Sequence, residues 1–324
     1  MATKKTDSAS SAAKGKNVRC RYCGQKNSVR GTYKNGKANC GKCKLPLSDE
    51  PHKKFASLSK HDYVHPLDSK ALAAIKAIPG VDSGLRQLIK VTGESIIRVT
   101  LMASSVKVTP NQFPDLYAKL QVACTTLGVD MPDMYVQQNP IVNAFTFGVE
   151  RHVVVLHTGL LELLNEEETL AVIAHEVGHI HAQHVLYLTA ARLFELLANG
   201  AIDAVPGSPI IKFLIQAGIS SSLLAWARKA ELSCDRAGLL VTQNPHIIGK
   251  TMMKLAGGSM SKEMNYDEFL NQGKEFKREC DQNSLDKFWA GLVSAGLTHP
   301  FPIWRVSEIQ DYVDSGEYEA LMAK

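Results

Sequence analysis

No stretch of this chain reaches the roughly 20 uncharged residues that an α-helix needs to cross a bilayer. Arg192, Glu195 and Asn199 interrupt the apolar stretch from Val185 to Ile202, and Lys212, Gln216 and Ser220 to Ser222 interrupt the one from Ile210 to Ala227. Two soluble helices are expected there, with a turn over Asp203 to Pro209 between them. Such a hairpin either covers a cleft or makes peripheral contact with a membrane surface. The lack of a spanning segment tells against an enzyme embedded in the bilayer. Nor does the chain open with an apolar h-region or a secretory cleavage site, so the cytoplasm is the expected location, with membrane association left to the hairpin. Residues 1–17 lack any apolar block and read as a disordered basic tail.

What is present is ordinary in total and uneven in distribution. With 45% hydrophobic and 21% charged residues among 324, the chain can bury a large core and carry one small extra module. The net charge of +5 hides an asymmetry: residues 1–60 hold 15 Lys and Arg against 3 Asp and Glu, and the rest hold 22 against 29. A basic N-terminal module therefore precedes a mildly acidic body.

Within that module Cys20-x-x-Cys23 and Cys40-x-x-Cys43 stand 16 residues apart, a spacing typical of four-cysteine zinc sites. Gly24 and Gly41 would let the backbone curl beneath a metal, and Gly31 and Asn35-Gly36 offer hairpin turns. Two disulfides or a redox pair are the alternatives, and a reducing cytosol favours zinc. Residues 18–48 are thus expected to be a zinc ribbon, its zinc structural because thiolates fill every position. The segment resembles the short ribbon that precedes some bacterial thioredoxins, and only the metal site carries over, since no thioredoxin-type unit follows. Arg19, Arg21, Lys26, Lys42 and Lys44 are among the charges that would meet an acidic protein partner or phosphates. Nucleic acid is disfavoured, because only Tyr22 and Tyr33 could stack on bases. Residues 49–66, with Pro51, His52, His61 and His65, read as a linker whose histidines are solvated.

The body, 67–324, is organised around His175-Glu176-Val177-Gly178-His179. Asn165 and Glu168 form a capping-box pattern ahead of it, and Glu166 to Glu168 suit the positive end of a helix dipole. Four residues apart, His175 and His179 share a helix face and can present two imidazoles to one metal ion, with Glu176 beside it. Two histidines at this spacing also occur on helices that bind nothing. A catalytic zinc needs a third protein ligand, and Glu231 is the best candidate: it lies four residues before Asp235, which would then orient a ligand histidine through its second ring nitrogen. His181 and His184 fall off the ligand face and read as supporting or surface residues. Cys124, Cys234 and Cys280 read as core thiols.

Around these motifs the periodicity predicts helices from Leu67 to Ile78 and Ser83 to Val91, strand-rich sequence from Ile96 to Val108, and an amphipathic helix from Asp115 to Gly128. Short strands are expected at Met134 to Gln138, Ile141 to Phe147 and His152 to His157. Beyond Pro245 the chain reads as helical, with Gly257-Gly258, Gly273 and Gly296 as punctuation.

Together, H-E-x-x-H, the later E-x-x-x-D, Asn143-Ala144-Phe145 before them and Thr298-His299-Pro300 after them resemble the HtpX/Oma-like and CAAX-prenyl-protease-like zinc metallopeptidases, from about residue 67 to the end. The resemblance implies a gluzincin-type domain: α+β, mostly helical, with a small edge sheet, and Glu231 as third zinc ligand. It implies that Asn143, Ala144 and Phe145 supply an edge strand to which an extended substrate adds; taken alone they read as a turn and a core Phe. It also puts His299 at the metal cleft, where it would stabilise an oxyanion, with Arg305 anchoring the loop through an ion pair. The expected activity is zinc-dependent endopeptidase action on protein or peptide, with Glu176 as general base, in protein quality control. Two zinc ions are expected, one catalytic and one structural. The competing readings are a zinc-ribbon adaptor with a peptidase-like scaffold and a membrane-associated prenyl-protein protease.

Overall fold

A computed structural model of the chain describes residues 16–29, 38–92, 94–198, 218–282 and 301–324. Strands β1 (Lys16–Arg19) and β2 (Lys26–Val29) pair antiparallel in the N-terminal module. The body begins with α1 (Pro66–Lys76), α2 (Val81–Thr92) and α3 (Glu94–Ser104). Then come β3 (Val106–Lys107), α4 (Pro114–Leu127), β4 (Asp133–Gln137), β5 (Ala144–Phe147), β6 (Val153–His157) and α5 (Thr158–Leu163). The metal-motif helix is α6 (Glu166–His181), followed by α7 (Val185–Ala198), α8 (Ile219–Thr242), α9 (Pro245–Gly257), α10 (Tyr266–Gln282), α11 (Pro302–Asp314) and α12 (Glu317–Ala323). The fold is the expected mostly helical α+β type.

Four strands form one sheet in the order β3-β4-β6-β5, with β4 and β6 parallel and the other pairs antiparallel. All of β6 is buried, and β5 lies at an edge, paired in the sheet with β6 alone. Side chains alternate along a strand. Ala144, Val154 and Leu156 accordingly join the main core with α6, while Phe147, Val153 and Val155 join Tyr135 and Leu101 on the other face.

That outer face explains why α3 is a helix where strand was expected. The β-branched residues from Ile96 favour a strand by propensity, but the sheet's outer side needs covering, and α3 supplies Leu101 to it. Val99 and Met102 are left 60% and 59% exposed. Gly273 also differs from expectation: it lies inside α10, where a Cβ would come 2.7 Å from the Ser307 hydroxyl of α11.

The capping box predicted for α6 forms. Asn165 Oδ1 accepts from the main-chain N–H groups of Glu167 and Glu168, and Glu168 Oε2 accepts from that of Asn165 at 2.8 Å. Across α6 runs α8, one continuous helix from Ile219 that carries both the end of the expected hairpin arm and the E-x-x-x-D pair. The turn at 203–209 lies outside the described residues. The two helices nearly touch: a Cβ on Gly178 would sit 2.7 Å from Ala237 Cβ, and one on Gly238 would sit 3.2 Å from the Ala171 carbonyl. Small residues at the crossing let the backbones approach. Among the described residues no helix is long and apolar enough to cross a membrane.

Residues 49–66 are not a free linker. His52 Nε2 lies 2.8 Å from the Val241 carbonyl, and Lys53 exchanges two main-chain hydrogen bonds with the Gln243 side chain at 2.9 and 2.8 Å. Tyr63 is buried, with its hydroxyl 2.9 Å from His181 Nδ1. His65 caps α1, accepting from the Leu67 N–H, and pairs with Glu308 at 3.1 Å. Of the three histidines expected in solvent only His61 is exposed. Val18, Tyr22, Leu45 and Leu47 belong to the same apolar cluster as the body.

Candidate active site

The close α6–α8 crossing decides what meets at the motif. Glu231 on α8 brings Oε2 to 3.4 Å from His175 Nε2 and Oε1 to 3.4 Å from His179 Nε2. Asp235, one turn on, places Oδ1 3.0 Å from His175 Nδ1. From α11, Arg305 grips Asp235 with two hydrogen bonds, Nε to Oδ2 at 2.7 Å and Nη2 to Oδ1 at 2.6 Å, and lies 3.4 Å from Glu231. Arg305 was expected to anchor the loop through an ion pair; the partner in that pair is Asp235, the carboxylate that holds His175. All five side chains are buried.

A metal fits this donor set. A tetrahedron whose corners lie about 2.1 Å from its centre has edges of about 3.4 Å, and each Nε2 lies that far from a different oxygen of Glu231, Oε2 for His175 and Oε1 for His179. The electrostatics agree, because Glu176, Glu231 and Asp235 set three buried carboxylates against the one guanidinium of Arg305, a surplus that a divalent cation neutralises. The same surplus acts on His175. Burial works against its imidazolium, but Glu231 and Asp235 outweigh burial and raise it to about 10. His179 is moved the other way, with burial the main cause. Asp235 stays below the ordinary carboxylate range: burial works to raise it, and Arg305 overcomes that.

His175, His179 and Cys234 also lie close enough to share an ion. Cys234 Sγ, however, is 3.1 Å from Nδ1 of His179, on the opposite ring edge from the nitrogen that faces Glu231. Burial pushes the thiol's pKa well up. The Glu231 carboxylate, by contrast, faces the Nε2 atoms of both histidines.

Glu176 points toward the sheet, where its Oε2 accepts a 2.7 Å hydrogen bond from the Thr146 hydroxyl of β5. Thr146 escaped the sequence reading, which stopped at Asn143-Ala144-Phe145. Alternation along β5 makes the difference. Asn143 and Ala144 line a cavity of about 280 Å³ with His175, Glu176 and Glu231. Phe145 turns its ring away, edge-on to His157 with the centroids 5.8 Å apart and beneath the Arg192 guanidinium at 4.8 Å. The Phe145 side chain is therefore not a contact within the cavity. The cavity's other walls are largely apolar, with Leu160, Val172, Ile248 and Met252. His299, with Thr298 and Pro300, lies outside the described residues.

The N-terminal cysteines gather as their spacing suggested. Cys20 and Cys43 place their sulfurs 3.6 Å apart, and Cys23 and Cys40 place theirs 3.7 Å apart. All four ligand atoms lie within 4.8 Å of one another, as free thiols. Four sulfurs about 2.3 Å from one zinc would be about 3.8 Å apart, so this cluster also fits a metal. Hydrogen bonds from Cys20 and then Cys43 hold the Cys23 thiol down to about 2, while its bond to Cys23 pushes Cys20 up to about 11. The turns differ in one detail from the expectation. Gly24 has φ +75°, but the matching left-handed position of the second turn is Lys44, at φ 61°, rather than Gly41.

Comparison with known proteins adds three findings. The model of peptidase family M48 matches residues 110–313. The chain is 35% identical over 274 residues to the plastoglobule-localized metallopeptidase 48 of Arabidopsis thaliana, covering 83% of this chain and 77% of that protein. It is 28% identical over 180 residues to a protease HtpX homologue of Tropheryma whipplei and 29% identical over 174 residues to one of Ralstonia nicotianae. Those two alignments cover 49% and 48% of this chain, and 62% and 61% of the bacterial proteins, somewhat under two thirds of their length.

Proposed function

This chain belongs to peptidase family M48 and is a metalloprotease; from that premise we propose that it is a zinc-dependent endopeptidase whose ion is held by His175, His179 and Glu231 and whose general base is Glu176. The observation that carries the reading is the convergence of both imidazole Nε2 atoms on the Glu231 carboxylate, at 3.4 Å each. When bound, zinc supplies Lewis acidity to a water and to the carbonyl under attack.

The chain's own residues do the rest. Glu176 takes a proton from the attacking water and returns it to the leaving amine. The Thr146 hydroxyl occupies one of its oxygens, which fixes the carboxylate and leaves the other oxygen to carry the proton. Asp235 accepts from His175 Nδ1 and so keeps the Nε2 lone pair directed inward, while Arg305 keeps Asp235 ionised. The outer side of β5 offers main-chain groups to an extended substrate, with Asn143 and Ala144 at the cavity. An unstructured segment can extend and pair its backbone there, so unfolded polypeptide is the proposed substrate form, which is the sense in which quality control is proposed.

A second, structural zinc on Cys20, Cys23, Cys40 and Cys43 belongs to the same proposal, as does a reducing compartment such as the cytoplasm, where thiolates persist. The basic ribbon surface is proposed to meet an acidic protein. The location named for the Arabidopsis metallopeptidase is compatible with peripheral contact of this chain with a lipid surface.

Metal analysis of the purified chain should find two zinc ions. An unfolded casein should be hydrolysed, with activity lost to a chelator and regained with zinc. One ion in total would refute either the ribbon or the triad, and a fully loaded chain without hydrolysis would favour the adaptor reading.

A further inference from the structure

An imidazole that offers its Nε2 lone pair to a metal carries its hydrogen on Nδ1, and that hydrogen needs an acceptor. For His175 the acceptor is Asp235. His179 is served differently. Its Nδ1 lies 3.3 Å from Nδ1 of His184 and 3.1 Å from Cys234 Sγ.

His184 follows α6 and is wholly buried, its main-chain N–H donating to the His179 carbonyl at 2.9 Å. Its ring stands edge-on between His179 and Trp226, with centroid distances of 5.5 and 5.4 Å. Nε2 of His184 lies 3.0 Å from Oδ2 of Asp68, in the first turn of α1. Asp68 is also fully buried and accepts from Trp226 Nε1 at 2.7 Å and from the Ser233 hydroxyl at 2.5 Å. A carboxylate only accepts, so Nε2 of His184 bears the hydrogen of that contact. With that hydrogen on Nε2, the ring's other nitrogen, Nδ1, is the atom that faces His179 Nδ1 and can accept from it.

We infer that Asp68 and His184 form a relay that positions His179 for metal, as Asp235 positions His175. The inference rests on His179 being a ligand. It makes α1 part of the metal site, although Asp68 precedes residue 110, where the family match begins. Cys234 shares the hydrogen of His179 Nδ1 as the weaker acceptor. Neither Asp68 nor His184 touches the reacting atoms; both are positioning residues.

The test is chelator competition on the full-length chain loaded with cobalt, followed by the visible absorption of cobalt at the histidine site. Urea unfolding of the metal-free proteins is measured alongside. His184→Phe removes both bonds and should weaken metal binding roughly 10- to 100-fold. Asp68→Asn should weaken it in the parent and add nothing in the His184→Phe background, because Asp68 acts through His184. His184→Gln, which can accept from His179 and donate to Asp68, should recover most of the affinity. Cys234→Ala should change it by no more than about twofold, as a weak acceptor allows.

Equal losses from Asp68→Asn in both backgrounds would overturn the relay, as would variants that lose stability yet bind metal like the parent. If Asp68→Asn fails to fold, the His184→Phe and His184→Gln pair decides the matter by itself. His179→Ala separates this inference from the one beneath it. Retained metal in that variant would refute the ligand assignment, whereas lost metal beside an unaffected His184→Phe would refute the relay alone.

Discussion

Substituting Gly178 by Ala adds one methyl group at the place where α6 and α8 nearly touch. Its Cβ would stand 2.7 Å from Ala237 Cβ and 3.4 Å from the Cys234 Cα. Apolar carbons rest about 3.5 to 4.0 Å apart, so the helices must separate by about 1 Å or bend. Overpacking of this kind costs about 1 to 3 kcal/mol, and the better helix propensity of Ala returns up to about 1 kcal/mol of it. The larger consequence falls on the site, because His175 and His179 ride on one helix and Glu231 on the other. A shift of about 1 Å between them is large against the roughly 0.5 Å tolerance of a preorganised site. Gly178→Ala should therefore bind metal at least tenfold more weakly, read by chelator competition, while losing about 1 kcal/mol in urea unfolding. Ala237→Gly in the same chain removes the opposing methyl and should restore metal affinity, though not stability, since a second mid-helix glycine costs about 1 kcal/mol itself. An unchanged affinity in Gly178→Ala, or a double variant no better than the single, would refute the view that this crossing sets the ligand geometry.

Thr146→Val keeps shape but removes the hydroxyl that holds Glu176; a hydrogen bond to a charged group contributes about 1.5 to 3 kcal/mol, so kcat should fall about 10- to 100-fold with metal content unchanged and Thr146→Ser close to the parent. His52 is held neutral by burial, which lowers it to about 4 from 6.5. The unfolded chain therefore takes up this proton first. No stability is lost above about pH 6.5, and up to about 2 kcal/mol should be lost by pH 5, a slope that His52→Gln should flatten in urea titrations across that range. A chain beginning at Leu67 loses buried Tyr63 and the His65 cap; it should unfold about 2 kcal/mol more easily, and an unchanged urea midpoint would show that residues 49–66 are only a linker. Mild thiol oxidation should empty the ribbon before the histidine site, leaving peptide hydrolysis intact while one zinc is released.

The parts of the site legible in the sequence were those with local period. Asn165 and Glu168 are three apart, His175 and His179 four apart, and Glu231 and Asp235 four apart, so helical geometry alone puts each pair on one face. The four cysteines were legible for a similar reason, since each pair shares one turn. Asp68 and Thr146 had no such signature. Asp68 meets a histidine 116 residues later and Thr146 a carboxylate 30 residues later, through contacts that only the fold creates. Segment 49–66 misled for the opposite reason. It has no periodicity because it is held by separate hydrogen bonds to α8, α11 and the chain end rather than by a buried stripe. In α3 the β-branched residues expressed a real preference that the uncovered sheet face overrode.

The central claim, that Glu176 is the base of a metal site it does not help to bind, is tested most directly by measuring zinc content and casein hydrolysis on the same preparation of Glu176→Gln, beside Glu231→Ala. Glu176→Gln should keep full zinc occupancy with hydrolysis reduced about 10² to 10⁴-fold, and Glu231→Ala should have reduced occupancy. Parent-like hydrolysis by Glu176→Gln would contradict it.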